Sequence, residues 1–151
     1  MQELNLPSYE FRLKKEDGQL RIFDEVRKKY VALTPEEWVR QNFIRYLVDK
    51  KQVPAGLVVI EKTLLMNTMS RRPDILIHDK QGNPVMIIEC KAPEVKISQD
   101  TFDQIARYNS VLRVPYLVVT NGMQHFCCLM DYPNSSYRFI EDIPDYPDMT
   151  G

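Results

Sequence analysis

The stretch Arg72-Pro73-Asp74-Ile75-Leu76-Ile77-His78-Asp79-Lys80-Gln81-Gly82-Asn83-Pro84-Val85-Met86-Ile87-Ile88-Glu89-Cys90-Lys91 decides the fold. It reads as two short apolar strands joined by a turn at 79–83, where Asp, Gly and Asn supply turn chemistry. Strand side chains alternate between faces. Glu89 and Lys91 therefore project together with Val85 and Ile87 behind them, and Met86, Ile88 and Cys90 face the other way. Paired as a hairpin, the strands bring Asp74 beside Glu89, so that two carboxylates and one amine converge. A divalent cation removes the repulsion between such carboxylates, and hard oxygen donors with open positions suit Mg²⁺ or Mn²⁺ better than zinc. A lysine beside that cation can orient water for attack on a phosphodiester. The same Glu-x-Lys spacing also occurs on ordinary exposed strand faces. The difference lies in Val85-Met86-Ile87-Ile88, a run apolar enough for a buried central strand, whose terminal charges are costly unless paired or metal-bound.

Upstream, Thr34-Pro35-Glu36-Glu37 starts a helix. Thr34 is an N-cap, Pro35 suits the first helical position, and Thr-x-x-Glu is a capping box ending on Glu37. The helix should reach about Lys51, with Val39, Phe43 and Leu47 as its buried stripe. Before it, residues 8–24 read as an added hairpin. Tyr9, Phe11 and Leu13 alternate with polar residues, Glu16-Asp17-Gly18 turns, and Leu20 to Phe23 return. The link from Asp24 to Val31 is charged. Its Arg27-Lys28-Lys29 cluster suits a solvated surface better than a phosphate contact.

Leu57 to Met66 reads as a strand rich in β-formers. Arg71 and Arg72, next to Asp74, suit phosphate binding and charge balance equally well. A second helix runs from about Ser98 or Asp100 to Leu112, with Phe102, Ile105, Ala106, Asn109 and Leu112 as its core stripe. Gln104 and Tyr108 share another face. Pro115 to Thr120 is a buried strand stopped by the hairpin signal Asn121-Gly122, and Gln124 to Met130 is the returning strand. Tyr137 to Ile140 is a last edge strand. His125 has no second histidine or cysteine placed to join it in catalysis. Residues 141–151, with Glu141, Asp142, Asp145 and Asp148, read as a mobile acidic tail.

Five blocks in one order resemble a known family: Thr34 to Gln41, Arg72-Pro73-Asp74, Ile88-Glu89-Cys90-Lys91-Ala92-Pro93, Gln104 to Tyr108, and Val119 to Gly122. Asp74 and Glu89 are separated by fourteen residues. Pro73-Asp74 followed by Glu89-Cys90-Lys91 resembles the PD-(D/E)xK signature of a nuclease superfamily, and residues 30–130 resemble the N-terminal nuclease domain of type I restriction-enzyme R subunits. The resemblance implies an α/β, restriction-endonuclease-like αβββαβ core with a mixed central sheet. It also implies Mg²⁺-dependent cleavage of DNA, with Asp74, Glu89 and the Cys90 backbone carbonyl as ligands and Lys91 positioning the attacking water. A glutamate on the first helix joins the metal shell in that family. Glu36 fits this role first, because the cap accounts for Glu37, and Glu37 is the alternative. Gln104 and Tyr108 match the family's Gln-x-x-x-Tyr and would position substrate or water. The expected organisation is one domain over 1–140.

The 151 residues allow a substantial core, and 44% hydrophobic with 27% charged residues fits neither a disordered nor a membrane chain. No secretory signal opens the sequence. The three cysteines include no Cys-x-x-Cys pair, which favours a reducing cytoplasm over a disulfide or zinc scaffold. The net charge of −1 is uneven: residues 1–51 carry eleven basic and nine acidic side chains, residues 101–151 three and six. A domain this neutral would bind DNA weakly alone, so a partner protein or a second copy is expected to help. The chain contains no Gly-x-x-x-x-Gly-Lys-Ser/Thr phosphate loop, so an ATP motor is not expected in it.

Overall fold

The computed structural model describes residues 1–60 and 73–150, with the side chains of residues 107, 108 and 111 outside that description. The expectations for Arg71, Arg72, the Tyr108 side chain and the strand beyond Ile60 therefore fall outside the described residues.

The N-terminal part forms a three-stranded antiparallel sheet of β1 (Leu13–Glu16), β2 (Gln19–Asp24) and β3 (Lys29–Ala32). Asp17 and Gly18 both have positive φ (52° and 79°), the requirement of a two-residue hairpin turn whose twist matches its strands. The charged link thus supplies a third strand. The alternation seen in sequence begins one step late: Tyr9 and Phe11 precede β1, and Phe11 lies edge-on to Trp38 at 5.5 Å and beneath Arg45.

Helix α1 (Pro35–Lys50) starts as its sequence dictates, with the Glu37 N–H donating to Thr34 Oγ1 at 3.0 Å. Only half of the capping box forms. The Thr34 N–H donates to the Ala32 carbonyl, and the Glu37 carboxylate turns inward instead. Val39, Phe43 and Leu47 are fully buried.

The main sheet has the order β4 (Val58–Ile60), β5 (Ile75–His78), β6 (Pro84–Cys90), β7 (Tyr116–Thr120), β8 (His125–Asp131) and β9 (Ser136–Ile140). β6 and β7 are parallel and the other pairs antiparallel. A parallel pair needs a long crossover, and this one carries α2 (Gln99–Leu112). Ile75, Ile77, Met86, Ile88, Cys90, Val118 and Cys127 pack with α1 on one face. Leu76, Ile87, Leu117, Val119 and Cys128 pack with Phe102 and Ile105 of α2 on the other. Burial on both faces explains why β5, β6 and β7 read as continuous apolar runs. Among the described residues, no helix is long and apolar enough to cross a membrane.

Four local expectations change. A register shift between Ile77 and His78 leaves Val85 unpaired opposite β5, and Val85 packs in the α1 cluster, away from Ile87. Ala106 is exposed, and α2 buries Phe102, Ile105 and Asn109. The turn after β7 centres on Gly122 and Met123, closed by the Asn121 N–H donating to the Gln124 carbonyl at 3.2 Å. Gly122 has φ +85°, and a Cβ there would lie 2.8 Å from Leu4 Cδ2, so only glycine fits. The acidic C-terminal segment is packed, not a mobile tail. Ile143, Tyr146 and Met149 are buried around the short helix α3 (Tyr146–Thr150). The Tyr146 N–H donates to the Lys51 carbonyl at 2.7 Å and its hydroxyl to the His78 carbonyl at 2.9 Å. Its acidic side chains face outward while the apolar ones fill the core beside β5, a distinction that net composition hides.

Tyr146→Ala should therefore lower stability by about 2–4 kcal/mol in urea denaturation, the cost of deleting a buried aromatic. A change within about 0.5 kcal/mol would be that of an exposed tail.

Candidate active site

Ile75 pairs with Ile88 in the antiparallel register, and one residue further out this sets Asp74 opposite Glu89. Asp74 sits where the chain enters β5, Glu89 is the penultimate residue of β6, and Lys91 lies just beyond it. Asp74 reaches across: its Oδ2 accepts the Cys90 N–H at 2.7 Å, and its Oδ1 accepts Arg40 Nη2 at 3.2 Å. The Lys91 N–H donates to the Thr120 carbonyl at 2.8 Å, which fixes the end of β6 against β7.

Glu89 is only 7% exposed. Burial, then its hydrogen bond to Asp74 and that residue's charge, push its carboxyl up to about 9, with Lys91 acting in the opposite sense. The shift favours the protonated form of Glu89 at neutral pH, hydrogen-bonded to Asp74. The Lys91 ammonium acts electrostatically on both Glu89 and Glu36, and among the described residues no ion pair ties it to either. The Cys90 thiol is buried on the α1 face and pushed well up by burial, so only its backbone can serve the site.

The two glutamates of α1 separate cleanly. Glu37 is interior: its Oε1 accepts Arg40 Nη1 at 2.7 Å and Arg27 Nη2 at 2.9 Å, and its Oε2 accepts Gln41 at 2.8 Å. The Glu36 side chain is 48% exposed and 3.7 Å from Arg40. Its pKa is raised by partial burial and then by Asp74, and Arg40 and Lys91 oppose the rise. Glu36 belongs beside the acidic pair, and Glu37 belongs to the scaffold beneath it.

That scaffold was not evident in sequence. Arg27, read there as a solvated or phosphate-touching residue, is an internal bridge between Asp24 and Glu37. Asp24 is fully buried and also accepts the Val26 and Arg27 N–H groups. Arg40 stands one turn beyond Glu36 on α1, and its reach to Asp74 depends on how α1 packs over the sheet. Gln104 is half-buried in the second turn of α2, and among the described residues no hydrogen bond joins it to Asp74, Glu89 or Lys91. His125 sits on Phe43 and bridges Thr120 Oγ1 and the Asn5 carbonyl. Burial lowers the His125 pKa and favours the neutral ring, in which Nε2 donates to that carbonyl and Nδ1 accepts from Thr120, anchoring the N-terminal segment.

Among the described residues, no three His, Cys, Asp or Glu side chains are grouped as a ready metal cage. The donors available are two hard carboxylates and a backbone carbonyl. Such a set fits Mg²⁺, which commonly keeps several waters and uses one or two carboxylates.

The class is therefore an α/β domain whose mixed, two-sided sheet carries an acidic pair and a lysine where β5 begins and β6 ends. The family model of the type I restriction enzyme R protein N terminus matches residues 35–144, and the chain belongs to that family. Its fold is similar to the fragment structure assigned as an HsdR subunit of a type I restriction enzyme from Vibrio vulnificus YJ016. That similarity has a TM-score of 0.54 at 15% identity and covers 80% of this chain and 26% of that one. This chain thus spans about a quarter of that protein. No curated protein matches it by sequence.

Two outcomes follow. Glu89 has a folded pKa raised above its unfolded one, so its contribution to stability is fully present below about 4.5 and is lost as pH rises through about 9. Metal-free protein should lose melting temperature between pH 5 and 9, and Glu89→Gln should flatten that slope. His125, lowered by burial, acts in the opposite sense near its unfolded pKa, and the variant comparison isolates Glu89 from it. Second, Glu37→Ala should cost about 3–5 kcal/mol by removing the buried carboxylate that Arg27 and Arg40 share, whereas Glu36→Ala should stay within about 0.5 kcal/mol. Denaturant titration of both variants checks the assignment.

Proposed function

We propose that this domain hydrolyses DNA phosphodiester bonds with a divalent cation, in the setting of a multi-subunit restriction assembly. The observation that carries the reading is the β5–β6 register that sets Asp74 opposite the buried Glu89, with Lys91 just beyond the end of β6. Asp74, Glu89 and the Cys90 carbonyl would hold Mg²⁺ or Mn²⁺. When bound, such a cation polarises a phosphoryl oxygen and makes a bound water more acidic. Lys91 would orient the attacking water and stabilise charge growing on the phosphate, its ammonium already acting electrostatically on Glu89 and Glu36. Glu36 would contact the cation shell through water, and Gln104 and Tyr108 would position substrate from α2. Arg71 and Arg72 would hold a flanking phosphate. With a net charge of −1, the domain would rely on a partner protein or a second copy to engage DNA, in a cytoplasmic setting.

One observation favours a second reading. Both Asp74 oxygens already have protein donors and Glu89 is satisfied by Asp74, so the pair is stable without a cation. A module that keeps the fold and binds nucleic acid or protein without cutting would look the same.

Labelled linear, circular and single-stranded DNA, incubated with Mg²⁺ or Mn²⁺, separates them. Cutting by the wild type should fall roughly 100-fold or more in Lys91→Ala, with circular dichroism unchanged. Equal cutting by both proteins would refute Lys91's role. DNA affinity preserved in Asp74→Ala, without cutting by any variant, would establish the binding module.

A further inference from the structure

Five side chains of alternating charge run unbroken from the small sheet to the acidic pair: Asp24, Arg27, Glu37, Arg40 and Asp74. None of the five is more than 17% exposed. Buried ion pairs are poor sources of stability, because desolvation offsets most of their attraction, and well-packed apolar residues of similar volume commonly serve as well. A ladder that ends on Asp74 is better explained by what it does there.

We infer that Arg40 is a positioning residue that acts as an internal counter-ion of Asp74 and competes with the divalent cation for that carboxylate. The inference rests on the metal-dependent reading above. The geometry supports it in three ways. Arg40 spreads its fork over three carboxylates, with Nη1 at 2.7 Å from Glu37 and Nη2 at 3.2 Å from Asp74 and 3.7 Å from Glu36. Two of these, Asp74 and Glu36, are residues a cation would use; the third is not. The fork cannot drift away from Asp74 at will, because Glu37 is itself held by Arg27 and Gln41, and Arg27 by Asp24, which closes the turn after β2. Finally, a guanidinium stays charged at every working pH, so the competition cannot be relieved by losing a proton. A cation entering beside Asp74 must loosen the Arg40 contact and then tolerate a fixed positive charge within a few ångströms, in a site too buried for salt to screen it fully. Arg40 thereby keeps Asp74 ordered and lowers the affinity with which the cation binds.

The test is Mn²⁺ titration calorimetry at one pH on wild type, Asp74→Asn, Arg40→Gln and Arg40→Lys, with thermal melts to verify folding. Wild type should bind, Asp74→Asn should lose binding, and Arg40→Gln should bind roughly tenfold more tightly or better. Arg40→Lys, which keeps the charge, should stay nearer to wild type. Affinity in Arg40→Gln that is unchanged or weaker would overturn the role of Arg40 alone. Equal binding, or none, in wild type and Asp74→Asn would overturn the metal reading beneath it. Should Arg40→Gln fail to fold, a crystal structure of the wild type with Mn²⁺ decides. The Arg40 Nη2 to Asp74 Oδ1 separation should open beyond about 3.5 Å, and a hydrogen bond retained there would refute the competition.

Discussion

Asp74 and Glu89 face each other because β5 and β6 pair with Ile75 opposite Ile88, and that register is held by apolar side chains committed to two different faces. A slip of one residue would turn Ile75 and Ile77 toward α2 and Leu76 toward α1, so burial on both sides fixes the register firmly. The carboxylate pair is a consequence of the hydrophobic pattern. The same burial that fixes the register withholds water from Glu89 and is the main cause that raises its pKa. Packing and acid chemistry are two results of one constraint.

The remaining elements support that point from beneath. α1 contributes one glutamate to the site and another to its foundation, only one residue apart, because consecutive helical positions point about 100° from each other. Glu36 faces the pair, and Glu37 faces the ladder that leads back to Asp24. The three-stranded N-terminal sheet thus has a connection to the site. The turn after β2 holds Asp24 and Arg27, which in turn hold Glu37 and Arg40. Parts of the chain separated by fifty residues along the sequence (24 to 74) are joined by four ion pairs.

Most of the sheet could be read from sequence because its signals are local. Alternation, apolar runs and turn residues gave β5, β6, β7 and β8 and the opposition of Asp74 to Glu89. Thr34-Pro35 gave the start of α1, and the family likeness gave the order of elements. What escaped depends on distance. Val85 left its expected face because of a bulge defined only by its partner strand. Arg27 looked like one of three surface cations until Glu37, ten residues away, took it inward. Tyr146 and Met149 lay among acids, and only their docking against His78 and Lys51 shows which side of the segment matters. The reach of Arg40 to Asp74 depends on the packing of α1 over the sheet.

The parallel pairing of β6 with β7 also has a consequence for how the chain assembles. β5 and β6 are joined by a five-residue turn and can meet quickly, bringing Asp74 near Glu89 while both are still in water. β7 can add only after the crossover from Lys91 through α2 has closed, which costs more chain entropy and comes with non-local contacts. The local hairpin brings the acidic pair together, and the pairing of Glu89 with Val119 of β7 completes its burial. The dry environment of Glu89 thus depends on the longest loop closure in the sheet, although its partner Asp74 is supplied by one of the shortest.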